Sequence, residues 1–199
     1  MKKRQKRFKK TKNTLYTGFG DDGTTTLFDC KQGRISKSAM LIEALGSVDE
    51  LNAYLGIIKV YSNIDKIILK KVLFSQIIER IQQNLFIIQA ELGGSNMSVE
   101  KKELIKIENI INQIGKVLPQ ITSFTISGGS ILSSGLDFAR TLARKTERRV
   151  ISASDKGSRI ISPMTTSYMN RLSTVLFAMS RYANYLFSIP ESHPKYNKK

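Results

Sequence analysis

The chain has no tryptophan, one cysteine and one histidine among its 199 residues. A lone cysteine, Cys30, excludes a disulfide within the chain, and with one histidine a zinc site of the Cys/His type is excluded too. His193 lies between Pro190 and Pro194 in a short polar stretch, where nothing is expected to orient it. A Ser-His or Cys-His catalytic pair is therefore not expected. No apolar run approaches the roughly 20 residues that span a bilayer. No apolar segment follows the basic start, as a secretory signal would require. The expectation is a cytoplasmic protein without a membrane segment. Its chemistry must come from arginine, lysine, carboxylates, hydroxyls and backbone amides.

Acidic residues are also scarce. Lys+Arg number 32 against 16 Asp+Glu, a net charge of +16. Much of the excess is terminal. Lys2, Lys3, Arg4, Lys6, Arg7, Lys9, Lys10 and Lys12 occur with no acid among them, and Lys195, Lys198 and Lys199 form a second cluster. Residues 1–14 read as a disordered basic tail and residues 190–199 as a flexible one. Such tails bind RNA or anionic surfaces non-specifically. Phe8 is the sole aromatic in the first, so sequence-specific nucleic-acid reading is not expected. A transit peptide would be serine-rich, and this tail has no serine.

What is present begins with a glycine-rich loop. Gly18, Gly20 and Gly23 alternate with Thr17, Asp21, Asp22, Thr24, Thr25 and Thr26. The stretch is too polar for a helix or a buried strand. Such a loop lets backbone amides approach phosphate oxygens, with threonine hydroxyls as further donors. It is neither a Walker loop nor a dinucleotide fingerprint. An ordinary surface loop has the same composition. Lys31, Arg34 and Lys37 follow and could serve the same anion.

Five helical segments follow, read from apolar residues at three- and four-residue steps. They cover residues 39–61, 65–92, 99–117, 131–154 and 163–187. Gly93 and Gly94 end the second, Ser130 caps the fourth, and Pro163 starts the fifth. No strand pair is convincing; residues 121–126 alternate only briefly. The pattern predicts an all-α bundle.

The fourth helix carries Arg140, Arg144 and Arg148 at four-residue spacing, hence on one face. Like charges on one stripe repel unless an anion answers them. That anion could be a phosphate, a carboxylate of this chain or a neighbouring subunit, and a solvated face is an equal alternative. Glu147 is the only acid in the second half of this segment. On the fifth helix Asn170 and Arg171 sit beside apolar neighbours; buried, they would call for a partner, for which the arginine and glutamate face of the fourth helix is a candidate, while an exposed polar stripe is the alternative.

Together these motifs resemble the PduO-type ATP:cob(I)alamin (corrinoid) adenosyltransferases. The matching pieces are YTGFGDDGTT, EALGSVDELNAYLG, IQQNLFIIQAEL, FTISGGS, ARTLARKTERRV and YMNRLSTVLFAMSRYAN. They span about residues 15–187. The resemblance implies a ferritin-like five-helix bundle at residues 15–189, with a phosphate-binding loop at 15–38 and the helices at 39–189. It implies a homotrimer with ATP, carrying Mg²⁺, in a cleft between subunits. The reaction moves the 5′-deoxyadenosyl group of ATP to cob(I)alamin, formed from cob(II)alamin by a separate cobalt reductase. An adenosylcobalamin-dependent acceptor enzyme receives the product.

The same resemblance assigns roles. Thr17, Gly20, Asp21, Gly23, Thr24, Thr25 and Lys37 match phosphate contacts. Arg144, Glu147 and Arg148 match catalytic and ATP-binding positions, and Asn170 an ATP-site asparagine. Phe124 matches the aromatic that faces the corrin and favours the form without a lower axial ligand. Asp49 and Arg140 match a pair across the subunit interface. The chain departs from the family at Gly18, where a basic residue is usual, and at Phe19, usually threonine. It also departs at Ser127, usually proline, and Thr174, often aspartate. These departures keep a non-catalytic corrinoid or nucleotide carrier open as an alternative. A basic nucleic-acid-binding protein is a further one.

Overall fold

The computed structural model describes residues 15–28 and 33–196. The expected tail at 1–14, Cys30, Lys31, Lys198 and Lys199 lie outside the described residues. Five helices form the body: α1 (Met40–Ile64), α2 (Phe74–Leu92), α3 (Lys101–Gly115), α4 (Ile131–Asp155) and α5 (Pro163–Leu186). α4 packs on both α1 and α5, with α2 beyond α1 and α3 beyond α5. None of the described helices is long and apolar enough to cross a membrane.

Each helix buries the stripe its sequence carries. In α1, Leu41, Ala44, Val48, Leu51, Leu55 and Ile58 are buried; in α5, Leu172, Val175, Leu176 and Met179 are. Where helices meet, small polar residues close the gap. Ser47 Oγ and Thr146 Oγ1 lie 3.0 Å apart between α1 and α4, and Ser133 Oγ and Ser180 Oγ lie 2.9 Å apart between α4 and α5. Gly135 lets α4 approach α1 closely: a Cβ there would come within 2.3 Å of Ile58 Cδ1 and make that side chain shift.

Two helices, α4 and α5, start with a side-chain cap, Ser130 as expected and Ser162, which was not foreseen. Ser130 Oγ accepts from the Ser133 amide at 3.0 Å and Ser162 Oγ from the Thr165 amide at 3.1 Å. The buried Glu91 carboxylate accepts from Ser162 N and Thr165 Oγ1, both at 2.6 Å, and so places a negative charge at the start of α5.

Two antiparallel ribbons correct the expectation of no strand pair. β1 (Thr24–Thr26) pairs with β2 (Arg34–Ser36), and β3 (Ile68–Leu69) with β4 (Val72–Leu73). The second ribbon also moves the start of α2 from residue 65 to Phe74. Its two-residue turn is Lys70–Lys71, with Lys70 at φ 56°. That turn carries none of the Asn-Gly or Asp-Gly chemistry that announces a hairpin. A short apolar run beside a helix fits either period. Residues 121–126 form no strand.

One polar cluster joins α2, α3 and α5. Glu103 accepts from Arg80 at 2.7 Å, Lys106 at 2.8 Å and Asn84 at 3.3 Å, and Asn84 also donates to Tyr168 Oη at 3.0 Å. Burial pushes the Tyr168 hydroxyl above its usual range and keeps it protonated. Burial alone would raise the Glu103 carboxyl too, but the bonds from Lys106, Arg80 and Asn84 outweigh it and hold it at about 2, against an ordinary 4.5. The folded value lies below the unfolded one. The cluster therefore contributes its stability above pH 4.5 and loses it as pH falls toward 2. At most about 3 kcal/mol should disappear over that window. Urea unfolding at stepped pH should show a flatter acid limb for Glu103→Gln; an unchanged slope would remove Glu103 from the acid response.

Candidate active site

The arginine stripe of α4 divides by environment. Arg140 is half-buried. Its Nε donates to Asp137 Oδ1 at 3.1 Å, and its guanidinium carbon lies 5.9 Å from the centre of the Phe177 ring on α5. Asp137, itself buried, is the intrachain partner that the sequence did not announce. It sits three residues ahead of Arg140, so the pair spans one helical turn. Arg144 and Arg148 are exposed, and neither has a carboxylate partner among the described residues. Arg148 Nη1 donates to the Arg144 carbonyl at 3.2 Å.

Arg140 and Arg144 border a cavity of about 450 Å³. Phe124 and Thr125 of the α3–α4 connection form one wall, Arg140 and Arg144 another, and Thr174 and Phe177 of α5 a third. Phe124 is 79% exposed, an apolar ring held at the cavity edge rather than in the core. Two aromatic rings facing two guanidinium groups suit a large ligand with apolar and anionic parts.

Beside the cavity a polar chain crosses three helices. Asn170 Nδ2 donates to Glu147 Oε1 at 3.0 Å, Arg171 Nη1 donates to Asn170 Oδ1 at 2.7 Å, and Arg171 Nε donates to Glu108 Oε1 at 3.1 Å. The expected partner of Asn170 on the fourth helix is thus Glu147. Glu108, from α3, was missed; on sequence it is one more exposed acid of an amphipathic helix. The chain fixes the Asn170 amide so that its donor faces Glu147.

The glycine-rich loop folds as β1, β2 and a preceding turn. Gly18 and Gly23 adopt φ 68° and 76°, conformations that glycine takes without strain. Lys37 Nζ donates to the Gly20 carbonyl at 2.8 Å, and its amide donates to the Gly23 carbonyl at 2.9 Å. Thr17 Oγ1 accepts from the Phe19 amide at 3.4 Å, the Asp21 amide reaches the Gly18 carbonyl at 3.3 Å, and Thr25 pairs with Ile35.

Arg34 corrects a sequence expectation. Its guanidinium does not wait for an anion. It donates to Thr24 Oγ1 at 2.6 Å, to Asp22 Oδ1 at 3.2 Å, to the Thr24 carbonyl at 3.0 Å and to the Phe19 carbonyl. The Asp22 carboxyl is lowered by hydrogen bonds from Thr24 first and by Arg34 after it. Asp22 and Arg34 are therefore the loop's organising pair. No hydrogen bond or ion pair between described side chains ties this loop to the α4–α5 cavity. One chain holds the expected site residues in two separate groups.

Asp49 is exposed on α1 and accepts a 3.4 Å bond from Gln89; it does not meet Arg140 of its own chain.

Comparison with known proteins decides the family. A family model described as cobalamin adenosyltransferase matches residues 15–183. The chain belongs to the cobalamin adenosyltransferase family. The corrinoid adenosyltransferase of Mycobacterium leprae is 31% identical over 181 residues, covering 85% of this chain and 91% of that protein. The PduO corrinoid adenosyltransferase of Citrobacter freundii is 35% identical over 174 residues, covering 84% of this chain but 49% of that protein. Among solved structures, a PduO-type ATP:corrinoid adenosyltransferase variant from Lactobacillus reuteri, complexed with cobalamin and ATP, superposes with a TM-score of 0.80. It is 28% identical and covers 92% of this chain and 100% of its own. The family match takes in both groups of site residues, the loop and the α4–α5 cavity.

Proposed function

We propose that this chain transfers the 5′-deoxyadenosyl group of ATP to the cobalt of cob(I)alamin, releasing triphosphate. The observation that carries the reading is the 450 Å³ cavity where Phe124 and Phe177 face Arg140 and Arg144, on a chain of this family. The cobalt electron pair forms the Co–C5′ bond while the C5′–O bond breaks and triphosphate keeps its pair. Cob(I)alamin is itself the nucleophile, so no protein base is required. The protein must align C5′ with cobalt and stabilise the departing charge.

Arg144 and Arg148, cations without a carboxylate partner, answer the triphosphate; Glu147 and Asn170 orient the nucleotide. Thr17, Gly20, Asp21, Gly23, Thr24, Thr25 and Lys37 carry the phosphates from the loop. Among the described residues no three His, Cys, Asp or Glu side chains converge to hold a metal. Mg²⁺ would therefore arrive on the phosphates of ATP, where its charge offsets that of the leaving group. Phe124 covers the lower face of the corrin and keeps water from replacing the lost ligand.

The active unit is a homotrimer, with the loop of one chain closing the cavity of the next. Two observations support this: the two groups of site residues are separate within one chain, and α1 and α4 share an exposed apolar face. On that face Tyr54 stacks edge-on against Phe138 with ring centres 4.9 Å apart, and Ile57, Phe138 and Ile131 are exposed. Asp49 approaches Arg140 of the neighbour, beside the Asp137 pair. Asp49→Ala is expected to weaken the trimer by about ten-fold or more in dissociation constant, read by light scattering on dilution. It should leave the unfolding temperature of the separated chain unchanged. An undisturbed trimer would remove Asp49 from the interface. The enzyme works in the cytoplasm alongside a cobalt reductase and an adenosylcobalamin-dependent acceptor.

The test is to mix the protein with ATP, Mg²⁺ and chemically reduced cobalamin and follow the absorption spectrum. Appearance of adenosylcobalamin supports the reading. Binding of both ligands without that product would instead make the chain a carrier.

A further inference from the structure

The stretch after α5 corrects the expectation of an unoriented His193. Three consecutive residues each fasten it. Glu191 pairs with Arg181, a buried residue of α5 whose Nη2 also donates to the Pro119 carbonyl at 3.1 Å. The Ser192 carbonyl accepts from the Ile126 amide at 2.8 Å. His193 Nδ1 lies 3.0 Å from the Phe124 carbonyl and 2.9 Å from Ser123 Oγ. Glu191 and Ser192 further wall a second cavity of about 260 Å³ whose opposite wall is formed by residues 125–129. The segment that presents Phe124 therefore has the large cavity on one side and this strap on the other.

Phe124 itself makes no such anchor. Its ring is exposed, it lies outside any helix or strand, and its neighbours Ser123 and Thr125 are not in the core. What fixes its backbone is the strap: His193 Nδ1–H reaches the Phe124 carbonyl, sharing that one proton with Ser123 Oγ, and the Ser192 carbonyl accepts from the amide two residues on. A ring on an unanchored loop would spend much of its time away from the cavity edge. A ring whose backbone is pinned at its own carbonyl and at the amide two residues on is pre-organised.

We propose that Glu191 and His193 are positioning residues for Phe124, and that the C-terminal strap sets how far this ring reaches over the corrin. The proposal rests on the adenosyltransferase reading for its functional consequence, but not for its structural one. Arg181 is the fulcrum, because the same guanidinium grips Pro119 before the segment and Glu191 after it.

The first readout needs no activity. His193→Phe keeps ring volume and removes the donor; Glu191→Gln keeps shape and removes the charge. Each should speed amide hydrogen exchange across residues 121–129, Ile126 above all. His193→Asn, which returns a donor near Nδ1, should restore slow exchange. The second readout is spectroscopic. With ATP present, the fraction of bound cob(II)alamin lacking its lower ligand should fall by about half or more in His193→Phe, with KM for ATP within about two-fold of the parent. In a Phe124→Ala background, His193→Phe should cause no further loss, because both act through one ring. Unchanged exchange in both strap variants would overturn the proposal, as would additive losses in the double variant. Failure of the unaltered chain to make adenosylcobalamin would sink the reaction assignment, while the exchange result would still judge the strap.

Discussion

Arg144→Ala is expected to lower kcat for adenosylation by about 10²- to 10³-fold, the range for removing one pre-organised donor from a developing anion. The effect should fall on catalysis and spare the fold. Arg144 is exposed and without a carboxylate partner, so its removal orphans no buried group. It stands between Arg140 and Arg148 on one face, and like charges at four-residue spacing repel by about 0.2–0.5 kcal/mol per pair. The variant should thus be as stable as the parent or slightly more so in thermal unfolding. That combination, lost turnover with retained stability, separates a site arginine from a structural one. Arg144→Lys keeps the charge without the planar fork, so it should recover part of the rate. Full activity in Arg144→Ala would remove this residue from the site.

The second large effect is expected at Phe124. Replacement by alanine should lower kcat/KM for the corrinoid by about 10²-fold if, as proposed, the ring contributes only when the lower ligand has left. The change in stability should stay below about 1 kcal/mol, because a ring that is 79% exposed leaves no cavity when removed. Phe124→Leu restores apolar cover and should regain part of the activity. Steady-state kinetics with cob(II)alamin and a reductant, next to a thermal melt, would check both halves. A variant that melts early but turns over normally would reassign Phe124 to packing.

The helices were legible in the sequence because their apolar residues recur at the helical period and their ends carry caps. Ser130 before α4 and Pro163 at the start of α5 both act as local chemistry dictates. The β3–β4 hairpin was not legible. A Lys-Lys turn has no sequence signal of its own, and the ribbon exists because Ile67 and Leu69 are buried against the body. Arg34 was read as one more free cation. The loop folds around it, so its charge is answered by Asp22, 12 residues earlier in the chain. Asp137 was missed because an acid inside an apolar stripe looks like a solvated residue until the α4–α5 packing encloses it.

By itself the sequence determined the helical class and the family, because periodicity and motif order are local properties of the chain. Only the tertiary structure decided which arginine is which. Arg140, Arg144 and Arg148 are alike in sequence. Packing places Asp137 and Phe177 against the first, leaves Arg144 open at a cavity whose walls come from three separate parts of the chain, and leaves Arg148 exposed one turn further along the helix. Tertiary structure likewise turned a polar tail into a strap, because the partners of Glu191, Ser192 and His193 are brought to it by the fold, and none of them is a sequence neighbour.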